Sequence, residues 1–171
     1  MYYDRLERVR PGFKMLLMLE MNRYGGMILD TGRPFSMGEP HPETRRVYER
    51  SAQVQAFVAS KMKPGAIPRQ IEQEAVAYAK ELDIHMLSWN LLHGMGNTRT
   101  EAPDLRDPTT IDLPLQEHMH LLCEPNTCLP YGDPKAPTYS FFEVLVIPNT
   151  YLVTSQGGIP LVDFPTEIVV L

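Results

Sequence analysis

Cysteine is scarce in this chain, which has two among 171 residues, Cys123 and Cys128. Two thiols are too few for a disulfide framework, and in a reducing cytosol both would be free. Long apolar runs are missing too. No stretch approaches the ~20 residues of a membrane span, and the apolar run at residues 15–19 is too short and too far in for a signal peptide. No run of Lys and Arg stands out, and the net charge of -5 with a pI near 5.5 leaves no nucleic-acid footprint. A phosphate-cradling Gly loop, a dinucleotide Gly signature, a Gly-x-Ser-x-Gly elbow and a Cys-x-x-Cys pair are all absent from the sequence. These absences make a cytoplasmic chain the default expectation, with neither membrane nor nucleic acid as a partner.

What is present suffices for a core. The chain is 43% hydrophobic and of single-domain length. Its 16 prolines cluster after residue 100, which predicts a second half of short strands joined by rigid, irregular loops. Residues 13–22 and 27–35 are apolar runs flanking Gly25-Gly26, the pattern of a β-hairpin. Residues 43–62 carry Val47, Tyr48, Ala52, Val54, Phe57, Val58 and Met62 at the spacing of one helix face. Lys63-Pro64-Gly65 ends that helix, and Pro68 opens a second, with a stripe of Ile71, Ala75, Tyr78, Ala79 and Leu82. Beyond it, residues 86–92, 118–123, 141–147, 151–154 and 167–171 read as strands.

Three polar clusters adjoin these apolar runs. On the hairpin, Glu20, Asn22 and Asp30 sit on adjacent strands, where carboxylates can converge on one cation; a solvent-facing Glu20 and a turn-capping Asp30 are the plainer alternative. His93 is followed by Gly94, Met95 and Gly96. It reads as a bonded turn residue or as a ligand, with glycines that allow close backbone approach. Glu124 ends an apolar strand before Pro125. If buried, it needs a cation or an Arg, because an unpaired buried carboxylate is costly. His118 and His120 alternate on the expected strand and so would share a face, exposed or metal-binding.

Taken in order, the clusters match a family pattern. The hairpin carries Gly26-Met27-Ile28-Leu29-Asp30-Thr31-Gly32-Arg33-Pro34-Phe35, and Lys63-Pro64-Gly65 separates the helices. His93-Gly94-Met95-Gly96 precedes Glu101-Ala102-Pro103; Glu124-Pro125 follows, and then residues 149–154, Asn-Thr-Tyr-Leu-Val-Thr, before a Gly pair. Over about residues 12 to 171 this resembles the pita-bread metallopeptidases: methionine aminopeptidases, Xaa-Pro aminopeptidases and dipeptidases, and creatinase. The resemblance implies an α+β pita-bread fold, its C-terminal part only, with a curved antiparallel sheet and helices on one face. About a dozen residues precede the hairpin, where the family has another half-domain. The expectation is a single, incomplete domain over residues 1–171, either cut short or a reduced variant.

In active members of that family two divalent metals share five ligands: Asp, Asp, His, Glu and Glu. Carried over, Asp30 matches the second Asp, His93 the His and Glu124 the first Glu. The first Asp falls on Leu19, so Glu20 is the candidate, and a one-residue shift in a strand requires a changed turn or a bulge. Pro148 stands where the family has its bridging Glu, and Thr100 where it has a second, substrate-touching His. The resemblance therefore implies metal ligands Glu20, Asp30, His93 and Glu124, no assigned catalytic residue, and one divalent cation (Mn, Fe, Co or Zn) or none. Three functions stay open: an Xaa-Pro peptidase-like metallohydrolase with a partly degraded site, a non-peptidase enzyme acting on a small molecule, and an inactive pseudoenzyme working through a partner. A peptide or small-molecule substrate and a homo-oligomeric state are expected.

Overall fold

A computed structural model describes residues 14–87, 91–128, 144–163 and 165–171. The hairpin forms as the sequence predicts. Strand β1 (Lys14–Tyr24) pairs antiparallel with β2 (Met27–Ser36). The two turn residues both take positive φ, 60° at Gly25 and 88° at Gly26, which is what a two-residue hairpin turn demands and what glycine supplies without strain.

Helix α1 (Pro42–Lys61) starts with proline in its first turn, and the His41 side chain accepts a bond from the Glu43 N–H at 3.2 Å, so the helix start is capped. Val47, Tyr48, Ser51, Val54, Gln55 and Val58 form its buried face. Gly65, at φ 87°, lets the chain turn into α2 (Pro68–Glu81), which buries Ile71, Ala75 and Ala79. Phe57 of α1 and Tyr78 of α2 stack with ring centroids 4.6 Å apart.

Nine short strands follow: β3 (His85–Leu87), β4 (Leu92–Gly94), β5 (Glu101–Asp104), β6 (His120–Cys123), β7 (Asn126–Cys128), β8 (Val144–Val146), β9 (Asn149–Thr154), β10 (Gly157–Pro160) and β11 (Val169–Val170). An eight-stranded sheet runs β1-β2-β9-β6-β4-β5, with β10 on β9 and β11 on β2; β3-β7-β8 form a second sheet. Strand β11 joins β2 in parallel, and the path of the larger sheet runs from β1 to β5 without closing. The α+β fold stands, while the expected curved antiparallel sheet gives way to a mixed, open one. Helix α1 packs on β6, β7, β8 and β10, and α2 on α1 and β3.

Two strand expectations change. The run at 86–92 is not one strand: β3 and β4 belong to different sheets, and residues 88–90 lie outside the described residues. His118 sits in a turn at φ 68°, so β6 begins only at His120 and the two histidines share no strand face. Phe13 and residues 141–143, expected in strands, also lie outside the described residues. Among the described residues no helix is long and apolar enough to cross a membrane.

The two faces of the sheet divide the work. Leu92, Leu121, Cys123, Tyr151 and Val153 belong to the core built with the helices. Ile28, Met95 and Leu122 form a separate buried cluster. Because side chains alternate along a strand, the residues in step with Leu122 turn away from the helices.

Candidate functional site

Strand pairing assembles the site on that second face. Asp30 donates its N–H to Thr150 Oγ1 at 3.0 Å, and the same hydroxyl donates to the Asp30 carbonyl at 2.8 Å. Thr150 pairs with Leu122, and Leu122 with His93. Directly paired residues share a face, so Asp30, Thr150, Leu122 and His93 form one row across β2, β9, β6 and β4. Glu124 and Pro148 each lie one step beyond the register pair Cys123 and Asn149, in step with Leu122 and Thr150 respectively. The buried trio Ile28, Met95 and Leu122 lies among them, and Thr150 Oγ1 is 3.7 Å from Met95 Sδ.

Each group is held by its backbone. Asp30 is 1% exposed, His93 3% and Glu124 9%. The Glu124 N–H donates to the Leu91 carbonyl at 2.9 Å, and the Glu124 carbonyl accepts from Asn126 Nδ2 at 3.0 Å. Gln55 of α1 reaches through to the carbonyls of Cys123 and Ile147, pinning the two chain ends that carry Glu124 and Pro148. His93 Nδ1 lies 2.9 Å from the Gly94 carbonyl. A carbonyl can only accept, so Nδ1 carries the proton and the Nε2 lone pair is left for another partner. Burial pushes the imidazole below its ordinary value, toward the neutral form, against the Gly94 bond.

Glu20 enters through a bulge. Leu19 pairs with Thr31 and Asn22 with Leu29, so Glu20 and Met21 together oppose Asp30. One extra residue on β1 is the device that a one-place shift from Leu19 to Glu20 requires.

The sheet order shows what Pro148 means. The candidate positions lie on consecutive neighbours: Glu20 on β1, Asp30 on β2, Pro148 before β9, Glu124 after β6 and His93 on β4. Proline thus occupies the middle place. Its carbonyl accepts from the Gly32 N–H at 3.0 Å and from Arg33 Nη1 at 3.2 Å, and its ring offers no donor to a metal. With strands ~4.8 Å apart, a proline at that place separates Asp30 on β2 from Glu124 and His93 on the far side. Among the described residues no three His, Cys, Asp or Glu side chains gather closely enough to hold a metal ion. The described residues therefore do not fit a bridged pair of metals.

Of the glycines in the His93 segment, Gly94 is required by backbone contact, while Gly96 faces a side chain that can move. A Cβ on Gly94 would lie 2.5 Å from the Ala102 carbonyl oxygen, and one on Gly96 would lie 2.9 Å from Glu101 Oε2. Glu101 in turn accepts from the Thr98 N–H at 2.8 Å. Thr100 is exposed at the edge of this loop. Sequence reasoning missed two arginines here. Arg33 is buried, donating to the Gly32, Pro148 and Pro165 carbonyls; a basic residue inside an apolar hairpin strand was its signal. Arg106 has Asp104 two residues before it, but nothing local in the sequence places its guanidinium beside Thr100.

A family model described as metallopeptidase family M24 matches residues 8–155. Solved structures share the fold at low identity. An X-Pro aminopeptidase from Thermotoga maritima is 21% identical with a TM-score of 0.77, over 94% of this chain and 42% of that one. Dipeptidase PepE from Mycobacterium ulcerans is 22% identical with a TM-score of 0.78, over 99% and 42%. A methionine aminopeptidase from Rickettsia prowazekii is 19% identical with a TM-score of 0.70, over 86% and 63%. This chain thus spans less than half the length of the first two. No curated protein matches it in sequence.

Proposed function

Because the chain belongs to metallopeptidase family M24, we propose that it is a hydrolase of the Xaa-Pro peptidase kind whose metal site is reduced to one divalent cation. The observation that carries this reading is the shared sheet face of Asp30, Glu124 and His93, with His93 fixed in the tautomer that leaves Nε2 open. In this reading Glu20, Asp30, His93 and Glu124 are the residues that would hold Mn, Fe, Co or Zn. When bound, such a cation would polarise a carbonyl and make a nearby water a better nucleophile. The chain itself supplies a dry floor from Ile28, Met95 and Leu122, and backbone bonds that keep Asp30 and Glu124 from turning away.

Metal content after stripping and reconstitution tests this, alongside hydrolysis of an Xaa-Pro dipeptide. The expected result is about one equivalent of metal and turnover that depends on it. Protein that takes up no Mn, Fe, Co or Zn ends the reading. A second reading, a non-peptidase enzyme on the same scaffold, draws on Thr100 and Pro148, which remove peptidase parts and leave the face intact. Metal-independent turnover of a small molecule, with dipeptides untouched, would favour it.

A further inference from the structure

A cavity of about 200 Å³ lies against α1 and shares no residue with the candidate site. It is lined by Arg45, Tyr48, Glu49 and Ala52 of α1 and by residues 166–168 of the C-terminal segment. Both walls are fixed. Helix α1 is packed on the sheets. The facing segment is held on one side by Arg33, whose Nε donates to the Pro165 carbonyl at 2.8 Å, and on the other by the pairing of β11 with β2. The charges of the lining do not balance. The Arg45 guanidinium is engaged by Glu39 at 2.8 Å. Glu49 and Glu167 are exposed, and neither carboxylate has an ion-pair or hydrogen-bond partner among the described residues. Tyr48 is 0% exposed, yet its hydroxyl meets no partner among the described residues either. A buried hydroxyl left unpaired is costly, and native proteins pair the large majority of such groups.

We propose that this cavity is a binding site for a primary ammonium carried on a short alkyl chain. Glu49 and Glu167 supply the countercharge, and the Tyr48 hydroxyl accepts one ammonium N–H. Ala52 and Ile168 cover the methylenes. The lining selects against other ligands. An anion would face two carboxylates, while the one arginine in the wall is already paired. Arg33, also near Tyr48, aims its donors at the carbonyls of Gly32, Pro148 and Pro165. A divalent cation needs several oxygen ligands drawn together, and no three acidic, His or Cys side chains gather so among the described residues. The volume is below the ~300–1,000 Å³ of sites for drug-sized ligands, so the chain is short. Such an ammonium comes either from a free alkylamine or from a lysine side chain of a peptide. The site is independent of the hydrolase reading.

Calorimetric titration of the purified chain with n-pentylamine, 1-pentanol and Nα-acetyl-lysine methylamide tests the site. The amine is expected to bind about tenfold tighter than the alcohol, the worth of a charge-assisted bond. Glu49→Gln and Glu167→Gln, both at exposed positions, should each weaken the amine about two- to fivefold and together remove its advantage. Tyr48→Phe should weaken it as well. Glu81→Gln removes an exposed charge outside the cavity and should leave amine binding unchanged. Equal binding of amine and alcohol, binding of neither, an advantage that survives in the double Gln variant, or an equal loss in E81Q would each overturn the site. Blocked lysine that binds as tightly as pentylamine assigns a peptide side chain; pentylamine binding alone assigns a free amine.

Discussion

Tyr48 shows how a single side chain can be out of balance with its surroundings. It is fully buried on α1, and its hydroxyl has no hydrogen-bond partner among the described residues. Burial pushes the phenol up to about 12, with Arg33 nearby pulling it back and Glu167 adding to the rise. An acid whose folded value is raised binds its proton more tightly when folded. Above an ordinary phenol value of about 10 the unfolded chain loses that proton first, so stability falls as pH rises from there toward the folded value. Removing the hydroxyl removes both costs. Tyr48→Phe is expected to gain about 1 kcal/mol in urea unfolding at neutral pH and to flatten the alkaline loss. A destabilised Phe variant would show that the hydroxyl is bonded after all.

Among the elements, the helix pair depends on one aromatic contact. Phe57 stacks on Tyr78 at an interplanar angle of 20°, Lys61 lies over the Phe57 ring at 4.8 Å, and Lys61 pairs with Glu74 across the helices. A double-mutant cycle with Phe57→Ala and Tyr78→Ala should give a coupling of about 1 kcal/mol. Strict additivity would mean that the rings merely adjoin. These helices and the hairpin were legible because their signals are local: 3.6-residue periodicity, Pro at the helix starts, Gly25-Gly26 at the turn. Strands β5 and β10 were not. Glu101-Ala102-Pro103-Asp104 and Gly157-Gly158-Ile159-Pro160 have poor strand propensity, and tertiary pairing alone makes them strands. His118 misled because alternation looks the same whether or not φ changes sign. Asp30, His93 and Glu124 could be picked out by residue type and order, but the place of Pro148 at the centre of their array follows from sheet order, which no local pattern encodes.

For the molecule as a whole, the site is assembled by long-range pairing. Residues 30 and 150 bond across 120 positions, so whatever binds this face ties distant parts of the chain together. A cation that binds only the folded form at a hundredfold excess over its Kd adds about 2.7 kcal/mol, which raises the Tm of a chain this size by about 5 to 10 °C. Adding Mn to stripped protein should produce a rise of that order, and His93→Ala should reduce it. An unchanged Tm across a metal series would show that the array no longer holds a cation. Pro148 also has an engineering consequence. Its carbonyl is already engaged by Gly32 and Arg33, so the backbone there is fixed whatever side chain it carries. Glutamate at that place would enter a prepared socket, yet without a cation its buried charge would work against folding. A single exchange at the middle of the sheet would thus make metal a condition of folding rather than an addition to stability.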